Sequence, residues 1–264
     1  RGQNVRLASK LTNYEIDILT DKEDSERRQT EFKDKTETLI KSLEVDETLG
    51  QLLVSEGFQG IEEISQADVE EISKIDNSCS VILSAHNSLA CWGIEEYGSE
   101  KQKNKYLRTL ASGKTIGAFC LSEPESGSDA TQQKTTAQDK GDHYLLNGIK
   151  NWITNGEKAG IYVVIAQTHP EKNHNGINAF IVEARSKGLS VGVKEDKLGI
   201  RSSDTTSVMF QDVIVPKENR LGPDGFGFKY AMKTLEGGRI GIAAQALGIA
   251  SGAVSYTHLR AHET

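Results

Sequence analysis

The spacing of apolar residues changes once along the chain, near Gly113, and this change predicts its organisation. Between residues 44 and 72, apolar side chains recur at helical intervals with two glycines among them, which predicts small helices packed as helix–turn–helix units. The preceding run at 21–37 is rich in both signs of charge and is typical of a solvated helix.

Two further helices are predicted before Gly113. Residues 80–98 carry an apolar stripe that is typical of a mostly buried helix, and Gly98 ends it. Ser99 then precedes Gln102 by three positions, a capping-box pattern that starts a helix extending to Leu110. Gly113 closes that helix.

After Gly113 the period falls to about two, which predicts β-strands. Strands are expected at 115–123, 134–140, 143–150, 160–168, 177–184 and 205–215, with a hairpin turn at Gly141–Asp142. Several short strands in succession predict an antiparallel sheet closed into a barrel or a sandwich. A long helix is predicted over 227–254 in spite of the Gly237–Gly238 pair. The predicted fold class is therefore α+β.

Composition narrows the class of protein. Apolar residues make up 36% and charged residues 26% of the 264 positions, which suits a soluble globular protein. No apolar run in the sequence approaches the roughly 18–20 residues of a membrane span, and residues 1–10 lack the apolar core of a secretory signal. The three cysteines, Cys79, Cys91 and Cys120, form no C-x-x-C pair, which favours a reduced cytoplasmic compartment over disulfides or a zinc site.

Charge is distributed unevenly along the sequence. Residues 1–72 carry 9 Lys and Arg against 18 Asp and Glu, whereas the other residues carry 22 against 20. This asymmetry suggests separate origins or roles for the two parts. Neither part has the basic balance expected of a nucleic-acid-binding surface.

Several standard catalytic motifs are absent from the sequence. It contains no G-x-x-x-x-G-K-[ST] loop, no G-x-G-x-x-G after a strand and no G-x-S-x-G elbow, which disfavours ATP, NAD and serine-hydrolase chemistry. His258 and His262 have the spacing of two metal ligands on one helix face, but Leu259 stands where a metalloprotease motif requires Glu. No metal site is predicted.

The segment FCLSEPESGSDA (119–130) has residue types suited to an anionic ligand. Pro124 ends the first strand, and Ser122, Ser126 and Ser128 offer hydroxyls together with backbone N–H groups that can face an anion. A plain polar turn is the alternative interpretation of this segment.

The segment KNWITNGEKA (150–159) has residue types suited to a planar ligand. Trp152 and Thr154 share a face if the segment is a strand, so one flat molecule could contact both. The alternative is that Trp152 anchors the core.

Two more segments, DKLGIRSSDTTSVMFQDVIVP (196–216) and KTLEGGRIGIAAQALGIASGA (233–253), complete a set of four. In this order and at this spacing the four segments resemble the acyl-CoA dehydrogenase family, in particular its short-chain, butyryl-CoA type. The resemblance covers about 73–253 and includes the helices at 77–107. It implies a flavoenzyme that removes a proton and a hydride from the α and β carbons of a short-chain acyl-CoA, with the hydride passing to FAD.

The resemblance also implies the site residues. Leu121 and Ser122 would hydrogen-bond the pyrimidine end of the flavin, Trp152 would lie on its ring, and the Thr154 hydroxyl would approach N5. The full set of implied FAD contacts is Phe119, Cys120, Leu121, Ser122, Glu123, Pro124, Gly127, Ser128, Trp152, Ile153 and Thr154. The implied acyl-CoA contacts are Ser128, Glu236, Gly237, Gly238 and Arg239. Glu125 departs from the glycine that many members carry.

No catalytic base is predicted in this chain. The reaction needs a carboxylate that is desolvated enough to be basic near the working pH. In most members of the family it lies far downstream, and in a minority it precedes the arginine that matches Arg239. Gly238 occupies that position here, and Glu236 lies about 200° away around a helix. We therefore expect weak or no dehydrogenase activity from this chain alone.

The two ends depart from the resemblance. SYTHLRAHET (255–264) has no bundle periodicity and is interpreted as a foreign tail that truncates the family's C-terminal helical domain, leaving the apolar face of 227–254 exposed. Residues 1–72 resemble the bacterial transcription elongation factor NusA, and EEISKID (70–76) is the expected joint of a chimeric reading frame. The alternative function is therefore a transcription-factor fragment that binds RNA polymerase or RNA, although the RNA-contacting loop would lie upstream of residue 1.

These considerations predict five segments. They are a NusA-like acidic helical segment at 1–72, the end of a helical domain at 73–113, a β flavin-binding domain at 114–222, the start of a helical domain at 223–254 and the tail at 255–264. The resemblance further implies electron-transfer flavoprotein as the electron acceptor and a homotetramer or homodimer in the intact family. Neither a membrane nor a nucleic acid is an expected partner.

Overall fold

The computed structural model describes residues 20–43, 47–55, 57–60, 63, 67, 72–73 and 76–261. The contacts divide the chain into two compact units, Arg1–Ala67 and Asp68–Thr264. In the first unit, helix α1 (Asp21–Leu43) packs on helix α2 (Glu47–Ser55), and Leu39 and Leu53 are buried. The predicted charged helix is confirmed, and most of the predicted helical region after residue 55 lies outside the described residues.

Two helical segments begin the second unit, as the sequence predicted. Segment α3 runs without interruption through Asn77–Ser84, the π-helical turns Ala85–Cys91, and Trp92–Tyr97. Segment α4 runs through Glu100–Gln102, the π-helical turns Lys103–Leu107, and Arg108–Ala111. The predicted capping box is formed, because the N–H of Ser99 donates to Gln102 Oε1 at 2.7 Å and the N–H of Gln102 donates back to Ser99 Oγ at 3.3 Å.

Eight strands form one sheet in the order β6-β7-β3-β2-β4-β5-β8, with β1 paired to β4 beside that path. The strands are β1 (Ile116–Cys120), β2 (Thr136–Asp139), β3 (His143–Thr154), β4 (Ala159–Gln167), β5 (Ile177–Glu183), β6 (Leu189–Val191), β7 (Thr205–Pro216) and β8 (Arg220–Leu221). Short 3₁₀ turns occupy Pro170–Gly176 and Lys217–Asn219.

The sheet differs from the prediction in three ways. Its pairing is mixed, because β1 runs parallel to β4 and β2 meets β4 in parallel at Thr136 and Gln167, so the expectation of a purely antiparallel sheet is wrong. Strand β3 continues four residues beyond its predicted end and therefore includes Trp152 and Thr154. Strands β6 and β8 were missed, because segments of two or three residues carry no usable period.

Strand β4 separates two apolar cores. Tyr162 and Val164 face the core enclosed by the sheet, whereas Val163 and Ile165 face the core between the sheet and the helices. Both faces are buried, which explains the continuous apolar run in this strand, where a half-exposed strand would alternate.

Helix α5 (Gly227–Ala261) is longer than predicted. It continues through most of the predicted tail, because residues 255–261 contain neither Gly nor Pro and extending an existing helix needs no new nucleus. Its first turns bury Tyr230 and Ala231, whereas its later turns expose a row of apolar side chains: Ile240, Ile242, Leu247, Ile249 and Val254. The expected exposure of this helix is therefore confirmed.

The described residues contain one helical stretch, 227–258, that is long and apolar enough to cross a membrane by length and composition. The expectation that no part of the sequence is long and apolar enough for a membrane span is therefore wrong. One stretch of this kind is weak support for a span, because a helix that packs in a soluble protein can meet the same criteria.

Candidate functional site

The first predicted segment folds into a tight turn after β1. The N–H of Glu123 donates to Ser126 O at 2.9 Å, and the N–H of Ser126 donates back to Glu123 O at 3.2 Å, which leaves Pro124 and Glu125 exposed at the tip. The Ser126 hydroxyl is buried and donates to Asp129 O at 2.9 Å. The prediction that Ser126 offers its hydroxyl to a ligand is therefore wrong, because that group is used inside the loop.

The other small residues of this segment are more accessible. Ser122 is half-buried, and Gly127 and Ser128 are exposed. Upstream, Phe119 and Leu121 are half-buried and pack against the core between the sheet and the helices. The accessible part of the predicted anion-facing segment is therefore Ser122 together with Gly127 and Ser128.

The second predicted segment lies at the end of β3, where the pairing with β7 is irregular between Lys150 and Ile153. Trp152 sits in this irregularity with a φ of 61° and 64% of its surface exposed. Trp152 is thus not a core anchor. A left-handed φ is unfavourable for a bulky residue and is typical of functional sites, where the surrounding structure holds it in place.

The structure brings these two segments side by side. The N–H of Asn151 donates to Ser122 O at 2.8 Å, which links the residue before Trp152 directly to the turn. One residue earlier, Lys150 Nζ donates to Leu121 O at 3.0 Å. The backbone just before Trp152 therefore runs beside the Leu121–Ser122 peptide.

A buried ion pair lies beneath this junction. Lys150 Nζ is 2.6 Å from Glu123 Oε1, and the exposed fractions of the two side chains are 0% and 1%. Burial lowers the pKa of Lys150 to about 8, against the opposing attraction of Glu123. Burial raises the pKa of the Glu123 carboxyl, but Lys150 and the hydrogen bonds from Lys134 and Thr135 outweigh it and hold that pKa below its usual range. Sequence reasoning missed Lys150, since a single lysine before NWIT carries no local pattern.

Three residues predicted to contact a cofactor have side chains that face inward. Cys120 is 0% exposed and Ile153 is 2% exposed, and both belong to the core enclosed by the sheet. The Glu123 carboxylate is occupied by Lys150 and by two backbone N–H groups. Their side chains are therefore not available to a ligand, and the predicted FAD contacts at these three residues stay predictions that would involve backbone atoms.

A cavity of about 330 Å³ lies between β3, α3 and α5. Thr154 lines it together with Gly238 and Arg239, so the structure brings one predicted FAD contact next to two predicted acyl-CoA contacts. The other lining residues are Val81, Ser84, Ala85, Leu89, Leu235 and Ile242. Glu236 and Gly237 are exposed and are not among the lining residues.

Glycine at 238 fits the close approach of α5 to α3 without any shift of the Leu89 side chain. A Cβ at this position would lie 2.9 Å from Leu89 Cδ2. Gly238 thus brings the backbone of α5 into the cavity wall and carries no carboxylate there. Within the described part of the chain, no group of three His, Cys, Asp or Glu residues could hold a metal ion, and His262 lies outside it.

Two family models match the chain. The model of the acyl-CoA dehydrogenase middle domain matches residues 118–213, and that of the acyl-CoA dehydrogenase N-terminal domain matches residues 26–114. The second match includes residues 26–72, for which a different origin was predicted.

Curated proteins with similar sequences are also named acyl-CoA dehydrogenases. The short-chain specific acyl-CoA dehydrogenase of Clostridium acetobutylicum is 56% identical over 185 residues, which are 70% of this chain and 49% of that protein. The chain thus spans about half the length of the curated relatives that it matches.

Solved structures agree with these matches. Butyryl-CoA dehydrogenase from Megasphaera elsdenii superposes with a TM-score of 0.71 at 41% identity, covering 91% of this chain and 69% of that one. A chain from the structure described as the electron transferring flavoprotein of Acidaminococcus fermentans gives 0.72 at 42% identity, with coverages of 91% and 68%. An acyl-CoA dehydrogenase from Bacillus anthracis, solved in complex with FAD, gives 0.70 at 31% identity, with coverages of 94% and 47%.

Proposed function

This chain belongs to the acyl-CoA dehydrogenase family, and we propose that its residues 73–254 bind FAD and the thioester end of a short-chain acyl-CoA. The observation that carries the proposal is the hydrogen bond from Asn151 N–H to Ser122 O, which joins the Trp152 segment to the serine-bearing turn. The similarity to short-chain enzymes favours a short acyl group.

The residues present fit a flavin. An isoalloxazine needs a flat apolar surface and hydrogen-bond donors at its edge, and an exposed indole near a turn with half-buried and exposed serines has the groups for both. Trp152 provides the surface, and Ser122 and Ser128 provide donors. The left-handed φ of Trp152 supports a functional reason for its exposure.

Each residue has a distinct role in this proposal. Trp152 would hold the flavin ring, the Ser122 N–H would donate to its pyrimidine end, and the Thr154 hydroxyl, which lines the same cavity as Gly238 and Arg239, would contact the ring. When bound, FAD supplies the acceptor for the hydride that leaves the substrate. The chain's own residues bind and orient the two partners.

We further propose that the chain binds substrate without efficient turnover. The reaction requires a carboxylate near the α carbon, and Gly238 offers none at the cavity wall. A turnover assay with butyryl-CoA as the substrate and an artificial electron acceptor tests this proposal. Robust turnover would mean that another residue or another chain supplies the base. Electron-transfer flavoprotein is the proposed acceptor for a complete enzyme of this family, which we expect to assemble as a dimer or tetramer.

FAD binding can be tested with single-tryptophan variants, since the chain has 2 tryptophans. Trp92 packs edge-on against Tyr97 in helix α3, with ring centroids 5.8 Å apart, and serves as the control. In Trp92→Phe the remaining indole should be strongly quenched by FAD, because it lies on the ring. Trp152→Phe should weaken FAD binding, whereas Trp92→Phe should leave the Kd within about two-fold, well under the 1.4 kcal/mol of a tenfold change. Equal quenching in both variants would refute the assignment of Trp152.

A separate origin of residues 1–72 is a second proposal. The boundary between the compact units after Ala67 agrees with a joint near 70–76, whereas the N-terminal family model extends across it from residue 26. Sequencing reads that span 65–80 test the joint, and a continuous native gene would refute it. Salt-sensitive RNA binding by the chain would favour the transcription-factor alternative.

A further inference from the structure

The ammonium of Lys150 lies directly beneath the turn that we propose for flavin binding. It donates to Leu121 O at 3.0 Å, to Glu123 Oε1 at 2.6 Å and to Gln133 Oε1 at 2.5 Å. An ammonium has three protons, so these three acceptors use all of them. The group is therefore fixed in one orientation within the protein interior.

The acceptors are themselves held in place. Glu123 also accepts the backbone N–H groups of Lys134, at 2.6 Å, and Thr135, at 3.1 Å. Gln133 donates to Ser126 Oγ at 2.9 Å. The ammonium is thus connected to both ends of the turn by buried hydrogen bonds, and the turn cannot rotate without breaking several of them.

The hydrogen bond to Leu121 O determines where the next N–H points. In a trans peptide the C=O and the following N–H point in opposite directions. Because the Leu121 carbonyl points inward to Lys150, the N–H of Ser122 points away from the buried ammonium. The other side of Ser122 is also fixed, since its carbonyl accepts the N–H of Asn151 at 2.8 Å.

We propose that Lys150 is a positioning residue for the flavin: it orients the Leu121–Ser122 peptide so that the Ser122 N–H faces the ring, and Glu123 balances its charge. This inference rests on the proposed function, because the N–H has a role only if a flavin lies there. It assigns a binding role to a residue that touches neither cofactor nor substrate.

Lys150→Met in the full-length chain tests the inference, with Lys105→Met as the matched control. Lys105, in helical segment α4, forms an ion pair with Glu183 at 2.8 Å, and its side chain is 60% exposed. Kd for FAD and the absorbance of bound flavin are measured under conditions where near-ultraviolet circular dichroism shows folded protein. Lys150→Met should raise the Kd at least about tenfold, or about 1.4 kcal/mol, and shift the bound-flavin absorbance towards that of free flavin. Lys105→Met should change neither.

Glu123→Gln is the second variant and carries the test if Lys150→Met does not fold. It leaves Lys150 without its counter-ion, but the amine can still donate to Leu121 O even when neutral, so the variant should retain the bound-flavin absorbance of the unaltered chain and raise the Kd by less than about tenfold. Folded Lys150→Met with unchanged Kd and absorbance would overturn the inference, as would a Glu123→Gln variant whose bound flavin resembles free flavin. Failure of the unaltered chain and of Lys105→Met to bind FAD would overturn the proposed function itself.

Discussion

Replacing Lys150 with methionine should destabilise the protein by an amount that depends on pH. The substitution leaves the Glu123 carboxylate buried without its counter-ion, and removing one partner of a buried pair costs about 3–5 kcal/mol. A carboxyl that cannot stay charged takes up a proton instead, which limits the cost. Because the ordinary pKa of this carboxyl is 4.5, protonating it in the folded protein costs about 3.4 kcal/mol near pH 7 and about 0.7 kcal/mol near pH 5.

The sign of the pH dependence follows from the proton balance. In Lys150→Met the folded-state pKa of Glu123 rises above its unfolded value, so between those two values the folded state binds more protons and stability falls as pH rises. The unaltered chain behaves oppositely at this residue. There the folded-state pKa of Glu123 is lowered, and its contribution to stability is lost as pH falls below about 4.5.

Urea unfolding near pH 7 and near pH 5 measures both quantities. The loss of unfolding free energy in Lys150→Met should shrink by about 2.7 kcal/mol at the lower pH. The double variant Lys150→Met/Glu123→Gln should be more stable than Lys150→Met near pH 7, because glutamine accepts the same backbone N–H groups without a charge. Lys105→Met should cost at most about 1 kcal/mol, as expected for an exposed pair. A loss in Lys150→Met that does not change with pH, or one below about 1 kcal/mol near pH 7, would refute the reasoning.

Three further outcomes are expected. Burial lowers the pKa of His86, whose Nδ1 accepts the N–H of Gly117 at 2.9 Å, so stability should fall below about pH 6.5 as the unfolded imidazole takes up a proton. In urea unfolding at several pH values, His86→Asn should reduce the change of stability with pH, and an unchanged pH dependence would refute this role of His86. Gly93→Ala should lower the free energy of unfolding by about 1–3 kcal/mol, because the added Cβ would lie 1.9 Å from the Tyr230 hydroxyl oxygen. Gly237→Ala, with no atom within 4 Å of the added Cβ, should instead stabilise helix α5 by about 0.5–1 kcal/mol in thermal unfolding.

Residue types in the sequence identified the two predicted cofactor segments, but they did not predict the backbone geometry of those segments. A strand with regular alternation would place Trp152 and Thr154 on one face. The irregular pairing between Lys150 and Ile153 breaks that alternation and leaves Trp152 exposed in a left-handed conformation. Such an irregularity depends on β7, which lies about fifty residues further along the chain, so the local pattern cannot reveal it.

The roles within the turn also depended on distant residues. Ser126 and Ser128 are chemically equivalent in the sequence, yet Ser126 is buried and bonded to Asp129 and Gln133, whereas Ser128 is exposed. Glu123 is predicted as a ligand contact from its place in the motif, but in the fold it neutralises Lys150. Hydroxyls and carboxylates bind whichever partner the fold brings nearest, and that partner is set by packing.

Local patterns in the sequence predicted the helices that the structure describes, the six longer strands and the segments that form the candidate site. Periodicity and capping are local properties, because they depend on residues three or four positions apart and on alternation along one strand. Tertiary contacts, by contrast, set the parallel pairing of β1 with β4 and the ion pair beneath the turn. These depend on contacts between residues far apart in the chain, whose free energy exists only once the core has formed.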